Sequence, residues 1–215
     1  MAFGIRERTI LINSLIIIFV VYSLTNMIFQ YVKTIEFAVS LNVLLYYTNW
    51  SNILAAVAAA CSLYCVFKGI KLPKPIAILK LASLMMLTVT FLVVVFVLCP
   101  QMGWNILYDI GGMIFLHFIV PVLALIDYLY NVDINAPGKR DAIYAVIPMM
   151  IYAIGIITIL LVAGNDDLAP YPFLRIHSQP VYVTILWLVG LAGLGFALSY
   201  GYTKLIMRTN PNLKD

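Results

Sequence analysis

Residues 81–98 read LASLMMLTVTFLVVVFVL, eighteen residues without a charged side chain. A helix needs about 20 mostly apolar residues to cross the hydrocarbon core of a bilayer. The stretch belongs to one of six long apolar runs in the chain. These six predicted spans cover residues 9–29, 41–67, 76–98, 105–130, 142–163 and 181–205. Each run is too long for a barrel strand and lacks strict alternation, so the sequence predicts helices.

The composition indicates the same fold class. Hydrophobic residues make up 64% of the 215 residues and charged residues 10%, and the mean hydropathy is +1.02. Soluble domains carry about 25% charged residues. Because the spans take up most of the chain, no soluble domain fits beside them. We therefore predict an all-α, polytopic integral membrane protein, with residues 1–215 forming a single bundle of six transmembrane helices.

The basic residues predict the orientation of this bundle. In a six-span topology, eleven of the thirteen fall on one side: Arg6, Arg8, Lys68, Lys71, Lys74, Lys80, Lys139, Arg140, Lys204, Arg208 and Lys214. Positively charged loops stay in the cytoplasm, so both termini are expected there. This asymmetry accounts for the net charge of +4 without a nucleic-acid partner. A face this basic attracts anionic headgroups, and membrane lipids are the predicted partners.

Span two carries a stripe of small and polar side chains at helical spacing. Its members are Thr48, Ser51, Asn52, Ala55, Ala56, Ala59 and Ser62. One interpretation is structural, because small residues allow close helix packing and hydroxyls and amides bond across helices. The other is functional: the upper part of the stripe lines a cavity. Both interpretations stay open at the level of sequence.

Span four places ionisable residues where a bilayer makes them expensive, which favours a cavity or a partner. Asp109 and His117 are eight residues apart, about 80° around a helix and roughly 12 Å along it. They can line one broad face without touching. Pro121 has no amide hydrogen, so the carbonyl of His117 is expected to lose its helical partner and the helix to kink. Asp127 is expected to anchor the helix end, and Lys80 to snorkel.

The remaining candidates predict no metal site and no cofactor. In the outer loop 164–180, the spacing of Asp166, Asp167 and His177 is not that of a metal site. Its aromatic and proline residues predict either a lid over the outer face or an ordinary interfacial loop. The three cysteines are expected to be buried free thiols, because two of them alone lack the further ligands of a zinc site.

The polar residues of spans two and four together fit an intramembrane hydrolase. A threonine hydroxyl is a weak nucleophile until a base removes its proton, which assigns Thr48 as nucleophile and His117 as base. The amides of Asn49 or Asn52 would donate to a developing oxyanion. Asp109 would orient the base or a water, with Ser51 as a further cavity residue. A substrate reaching this site from lipid is expected to be an acyl ester.

Two other functions stay open, and one distance weighs against the Thr48–His117 pair. A small transporter would use Asp109 and His117 as proton or substrate contacts. A membrane scaffold would use the stripe only for packing. Measured from the cytoplasmic helix ends, Thr48 lies about 20 residues up and His117 about 13, roughly a 10 Å difference in depth. If this difference persists in the fold, Asp109 becomes the expected neighbour of Thr48.

Three short segments carry a family resemblance. They are residues 46–52 (YYTNWSN), residues 116–121 (LHFIVP) followed by Asp127, and residues 171–173 (YPF). With the six-span layout, they resemble the bacterial membrane family catalogued as Pr-six-Pr. That family is distantly similar to the androgen-induced membrane proteins that hydrolyse fatty acid esters of hydroxy fatty acids. The resemblance implies a bacterial plasma membrane and places Thr48 and His117 at the positions of the proposed catalytic pair.

Overall fold

Helices make up the protein, and none of the described ranges forms a strand. A computed structural model describes residues 4–34, 41–108, 113–130 and 137–209. The helices are α1 (Ile5–Thr34), α2 (Tyr47–Lys68), α3 (Lys74–Val93, continued by a π-helical turn Val94–Leu98 and by Cys99–Met102), α4 (a π-helical turn Phe115–Ile119 followed by Val120–Tyr130), α5 (Asp141–Ala163) and α6 (Val181–Thr209).

Local signals set several of these boundaries. Gly69 ends α2 in the left-handed conformation with φ 65°, and its N–H donates to the carbonyls of Cys65 and Val66. Glycine adopts this conformation without steric cost. Pro73 caps the start of α3, and Pro75 lies in its first turn, where the missing amide hydrogen costs nothing. Short turns of this kind connect antiparallel helices.

Five helices in the described ranges are long and apolar enough to cross a membrane: α1, α2, α3, α5 and α6. The predicted fourth span, 105–130, differs from the structure. Its first part, Trp104–Leu107, is a 3-10 helix that follows Gly103 at φ 95°, and the helix Phe115–Tyr130 is shorter than the other five. Residues 109–112, including the predicted site residue Asp109, lie outside the described ranges.

The second span also begins later than predicted. Residues Leu41–Leu45 form a 3-10 helix, and α2 begins only at Tyr47. Side chains of the first α2 turn cause this break, because the Asn49 amide donates to the carbonyl of Val43. The Trp50 indole donates to that of Leu44 at 2.6 Å. These carbonyls are thereby bonded to side chains.

Helix α3 is the centre of the bundle. In its spanning window 61% of the residues are buried, against 11–39% in the other four long helices. It packs against α2, α4, α5 and α6. Leu81, Met85 and Leu87 are fully buried as a result. The eighteen uncharged residues 81–98 therefore contact protein on most sides.

A buried ion pair crosses the bundle near the end that carries most basic residues, here called the basic end. Lys80 of α3 contacts the Asp127 carboxylate of α4, and both side chains are almost fully buried. Asn13 of α1 donates to the other carboxylate oxygen at 2.8 Å. The expectation that Lys80 snorkels to the interface is wrong, because a buried anion on the neighbouring helix holds its ammonium group. Asp127 anchors three helices to one another.

This pair yields a stability prediction. Removing one partner leaves an unpaired charge in the core, so we expect Asp127→Ala to lower the free energy of unfolding by about 3 kcal/mol or more. The apolar double variant Lys80→Met with Asp127→Leu should regain most of that loss. Thermal unfolding in detergent micelles measures both.

The matched control is the pair of Lys74 and Asp141 at 3.1 Å, in which the lysine side chain is 57% exposed. Exposed pairs contribute about 1 kcal/mol or less, so Lys74→Ala should hardly change the unfolding midpoint. Equal losses in the two pairs would contradict the structural assignment.

Candidate functional site

Thr48 occupies the first turn of α2, at the end of the bundle opposite the basic end. Its backbone carbonyl accepts hydrogen bonds from the Ser51 hydroxyl and the Asn52 amide, both at 2.8 Å. Its own N–H donates to the phenolic oxygen of Tyr171 at 3.4 Å. The side chain is buried. The start of α2 is therefore fixed from within the helix and from the loop 164–180.

The polar residues around Thr48 divide into two groups. Thr48 and Asn49 line a cavity. Ser51 instead pairs with the Thr90 hydroxyl of α3 at 3.0 Å, and Asn52 donates to the carbonyl of Leu116 in α4 at 3.2 Å. Of the stripe residues predicted to face a cavity, Thr48 therefore does so, whereas Ser51 and Asn52 bond to neighbouring helices instead.

The bond between Asn52 and Leu116 depends on Pro121. In the π-helical turn, the Val120 N–H donates to the carbonyl of Phe115, and the next nitrogen, that of Pro121, has no hydrogen. The Leu116 carbonyl therefore has no donor four residues ahead, where the N–H bonds to Phe115, and none five residues ahead, where proline has no N–H. The Asn52 side chain supplies the missing donor. The expected distortion beside Pro121 is present as this π turn. The carbonyl that needs a partner is that of Leu116, one residue before the predicted His117, because the π turn shifts the register.

His117 lies inside this π turn and is 6% exposed. Its Nδ1 atom has no hydrogen-bond partner among the described residues. A buried polar atom without a partner is uncommon in a folded protein and is costly unless something else satisfies it. The histidine lines the same cavity as Thr48. The side chain is thus held by packing, and its buried Nδ1 atom makes no hydrogen bond to the described residues.

This space, the histidine cavity, has a volume of about 420 Å³. It is lined by Thr48, Asn49, Ile106, Met113, His117 and Tyr171, among others. No hydrogen bond joins Thr48 to His117 in the parts of the chain that the structure describes. Thr48 lies one turn outward from Asn52, and His117 one residue inward from Leu116, so the two differ by about 7 Å along the helix axes. The predicted depth difference is therefore reduced but persists, which favours Asp109 as the neighbour of Thr48, and Asp109 lies outside the described residues. Thr48 and His117 nevertheless border the same cavity.

A second space, the aliphatic cavity, lies between α3, α5 and α6 and has a volume of about 270 Å³. Its walls are mostly apolar side chains of these helices, with Thr90, Tyr152 and Thr158 among them, together with Tyr47, Thr48, Tyr171 and Phe173. The Tyr47 hydroxyl is buried without a partner among the described residues. Thr48 and Tyr171 therefore border both cavities.

Tyr171 is the residue that sequence reasoning did not assign to the site. Its ring stacks on Phe173 at 5.2 Å, and Phe173 stacks on Trp187 of α6 at 4.9 Å between ring centroids. Burial raises the pKa of Tyr171 to about 12, against the lowering effect of its hydrogen bonds to Thr48. The phenol is therefore protonated at neutral pH. The motif YPF was the available signal, but sequence gave no indication that its tyrosine reaches Thr48.

The loop 164–180 is held closed by its own hydrogen bonds. The Asp166 carboxylate accepts from the Ser178 hydroxyl at 2.6 Å and from the His177 N–H at 3.1 Å. Partial desolvation works against ionisation, but these hydrogen bonds dominate and hold the pKa of Asp166 below its usual range. The loop covers the Thr48 end of the bundle, which agrees with the predicted lid.

Within the described ranges, no three His, Cys, Asp or Glu residues come together as metal ligands do. The cysteines there, Cys61, Cys65 and Cys99, are free thiols. No family model, curated protein or solved structure matches this chain. The resemblance to the six-span family therefore remains an expectation, and its functional implications have to be judged from the side chains of the site.

The bond to Leu116 gives a prediction that a double-mutant cycle can test. We expect Asn52→Ala to cost about 1–3 kcal/mol of stability, because it leaves a buried carbonyl without a partner. In a Pro121→Ala background, residue 121 regains an N–H, and the same substitution should cost clearly less. Unfolding in micelles measures the four proteins. An equal cost in both backgrounds would mean that Pro121 does not create the demand for Asn52.

Protonation of Asp166 should loosen the loop. A lowered pKa means that the carboxylate stabilises the closed loop above its ordinary pKa of about 4 and that this contribution disappears as pH falls below it. Trp187 fluorescence, with Trp50 and Trp104 replaced by Phe, should change in that acidic range. The change should already be present at neutral pH in Asp166→Asn and absent in Asp167→Asn. Identical titrations in the two variants would contradict the role of Asp166.

Proposed function

We propose that the protein hydrolyses lipid esters within the membrane, with Thr48 as the nucleophile and His117 as the base. The observation that carries the proposal is that both side chains border the histidine cavity. The buried Nδ1 atom of His117 also has no hydrogen-bond partner among the described residues. The proposal includes the predicted setting: a multi-pass protein of the bacterial plasma membrane with the basic end in the cytoplasm.

The reaction follows from the two side chains. The Thr48 oxygen attacks the ester carbonyl while His117 accepts its proton through water molecules in the histidine cavity. The alcohol leaves with that proton, and the acyl group stays on Thr48. A water then attacks the acyl-threonine with His117 again as base, which returns the proton to Thr48 and releases the fatty acid.

A second candidate is proton-coupled transport. The observation that favours it is the Lys80–Asp127 pair, since ionisable residues inside a bundle often relay protons. Asp127 also borders a cleft between α1 and α4 that includes Arg8 and Tyr130. In proteoliposomes, a proton flux that Asp127→Asn abolishes and Thr48→Ala leaves intact would favour transport.

The hydrolase proposal is tested with purified protein and a panel of long-chain acyl esters. We expect Thr48→Ala and His117→Ala each to lower turnover by at least about 100-fold, because each removes a group that the acylation step requires. Thr48→Ser keeps a hydroxyl and should retain measurable activity.

The matched control is Ser62→Ala, which removes another buried hydroxyl of α2; that hydroxyl bonds to the Ala58 carbonyl at 2.9 Å. It should leave turnover within about twofold of wild type, since Ser62 borders neither cavity. Absence of hydrolysis by the wild-type protein across the panel, or equal turnover in Thr48→Ala and wild type, would refute the hydrolase.

A further inference from the structure

The histidine cavity and the aliphatic cavity extend from opposite sides of one small group of residues. Both are bordered by Thr48, Val94, Leu98 and Tyr171. A molecule whose reacting carbonyl lies at Thr48 therefore has room for one arm in each cavity.

Each cavity reaches the surface of the bundle. Ile154, on the wall of the aliphatic cavity, is 65% exposed, so this cavity opens sideways on α5. Met102, on the wall of the histidine cavity, is 60% exposed and lies at the end of α3. A lipid molecule can thus reach the aliphatic cavity from the bilayer without crossing the bundle.

The walls of both cavities favour an uncharged ligand. None of the described residues that line them is Lys, Arg, Asp or Glu. A phosphate or a carboxylate buried there would lose its hydration without gaining a cationic partner, which is strongly unfavourable. Long apolar chains have no such cost and gain from leaving water.

The polar atoms at the junction match an ester carbonyl. The Tyr171 oxygen accepts the Thr48 N–H, and the phenol keeps its own hydrogen for another acceptor. Hydrogen-bond donors placed where negative charge develops are a main source of catalysis in acyl transfer. Since the leaving alcohol takes its proton from the base, the alcohol arm belongs on the side of His117.

We propose that the substrate is a neutral ester of a long-chain fatty acid with a long-chain alcohol, bound with its acyl arm in the aliphatic cavity and its alcohol arm in the histidine cavity. Tyr171 donates a hydrogen bond to the carbonyl oxygen. This assignment rests on the proposed hydrolase. When the alcohol leaves, the histidine cavity empties and water reaches His117, while the acyl chain remains beside Thr48 for the second step.

Substitutions that fill one cavity at a time test the two arms. Ala153→Trp narrows the aliphatic cavity and should lower kcat/KM at least tenfold for hexadecyl palmitate but not for hexadecyl hexanoate. Ile106→Trp narrows the histidine cavity and should lower kcat/KM more for hexadecyl palmitate than for hexyl palmitate. Ile151→Trp is the matched control, because residue 151 is on α5, 65% exposed and borders neither cavity.

Tyr171→Phe tests the donor to the carbonyl oxygen. Phenylalanine keeps the ring that stacks on Phe173, so the loop should remain closed. We expect kcat to fall by about 100-fold with little change in KM, the loss typical of one oxyanion donor. An unchanged kcat would overturn this role of Tyr171.

The charge preference is tested with two further compounds. An ester that carries a carboxylate at the far end of the alcohol arm, and a phosphatidylcholine with the same acyl chains, should both be hydrolysed at least tenfold more slowly than hexadecyl palmitate. A preference for either compound would overturn the neutral substrate while leaving the hydrolase itself intact.

Binding without turnover separates this proposal from the hydrolase. N-hexadecyl palmitamide resists hydrolysis and can carry a diazirine in either arm. After irradiation, the acyl-arm probe should label α5 near residue 153, and the amine-arm probe should label residues 106 or 113. Correct labelling with no ester turnover would refute the hydrolase and support the two-arm site. Turnover that depends on Thr48 and His117, with labelling at neither place, would refute the two-arm site alone.

Discussion

The hydrogen bond from Asn52 to the carbonyl of Leu116 is the interaction on which the site depends. Inside an apolar bundle no water replaces a missing backbone partner, so a proline in a buried helix creates a demand that another helix has to meet. Asn52 supplies this hydrogen bond and so fixes the position of α4 along the axis of α2. Thr48 and His117 take their relative positions from this bond, because each lies close to one of its two ends.

Apolar length predicted most of the architecture, because hydropathy reports directly on what a bilayer tolerates. It failed where side chains compete for backbone groups. Asn49 and Trp50 bond to carbonyls of residues 43 and 44 and separate that segment from α2. Gly103 turns the chain before the fourth helix. Single residues set these boundaries, and hydropathy averaged over a whole span does not detect them.

The candidate site was predictable in its members but not in its contacts. Polar residues in an apolar helix are visible in sequence, which is why Thr48, Asn52 and His117 could be singled out. Which of them face a cavity depends on neighbours far away along the chain. Lys80 and Asp127 are 47 residues apart, and Thr48 and Tyr171 are 123 apart. No local pattern reports such pairings, so snorkelling was predicted for a lysine that is fully engaged.

The sideways opening at Ile154 determines which concentration controls the occupancy of the aliphatic cavity. A molecule arriving through that opening is already dissolved in the leaflet beside α5, so occupancy follows its mole fraction among the surrounding lipids. The volume of the aqueous phase has no influence on it. Adding inert lipid would dilute such a molecule, whereas adding buffer would not.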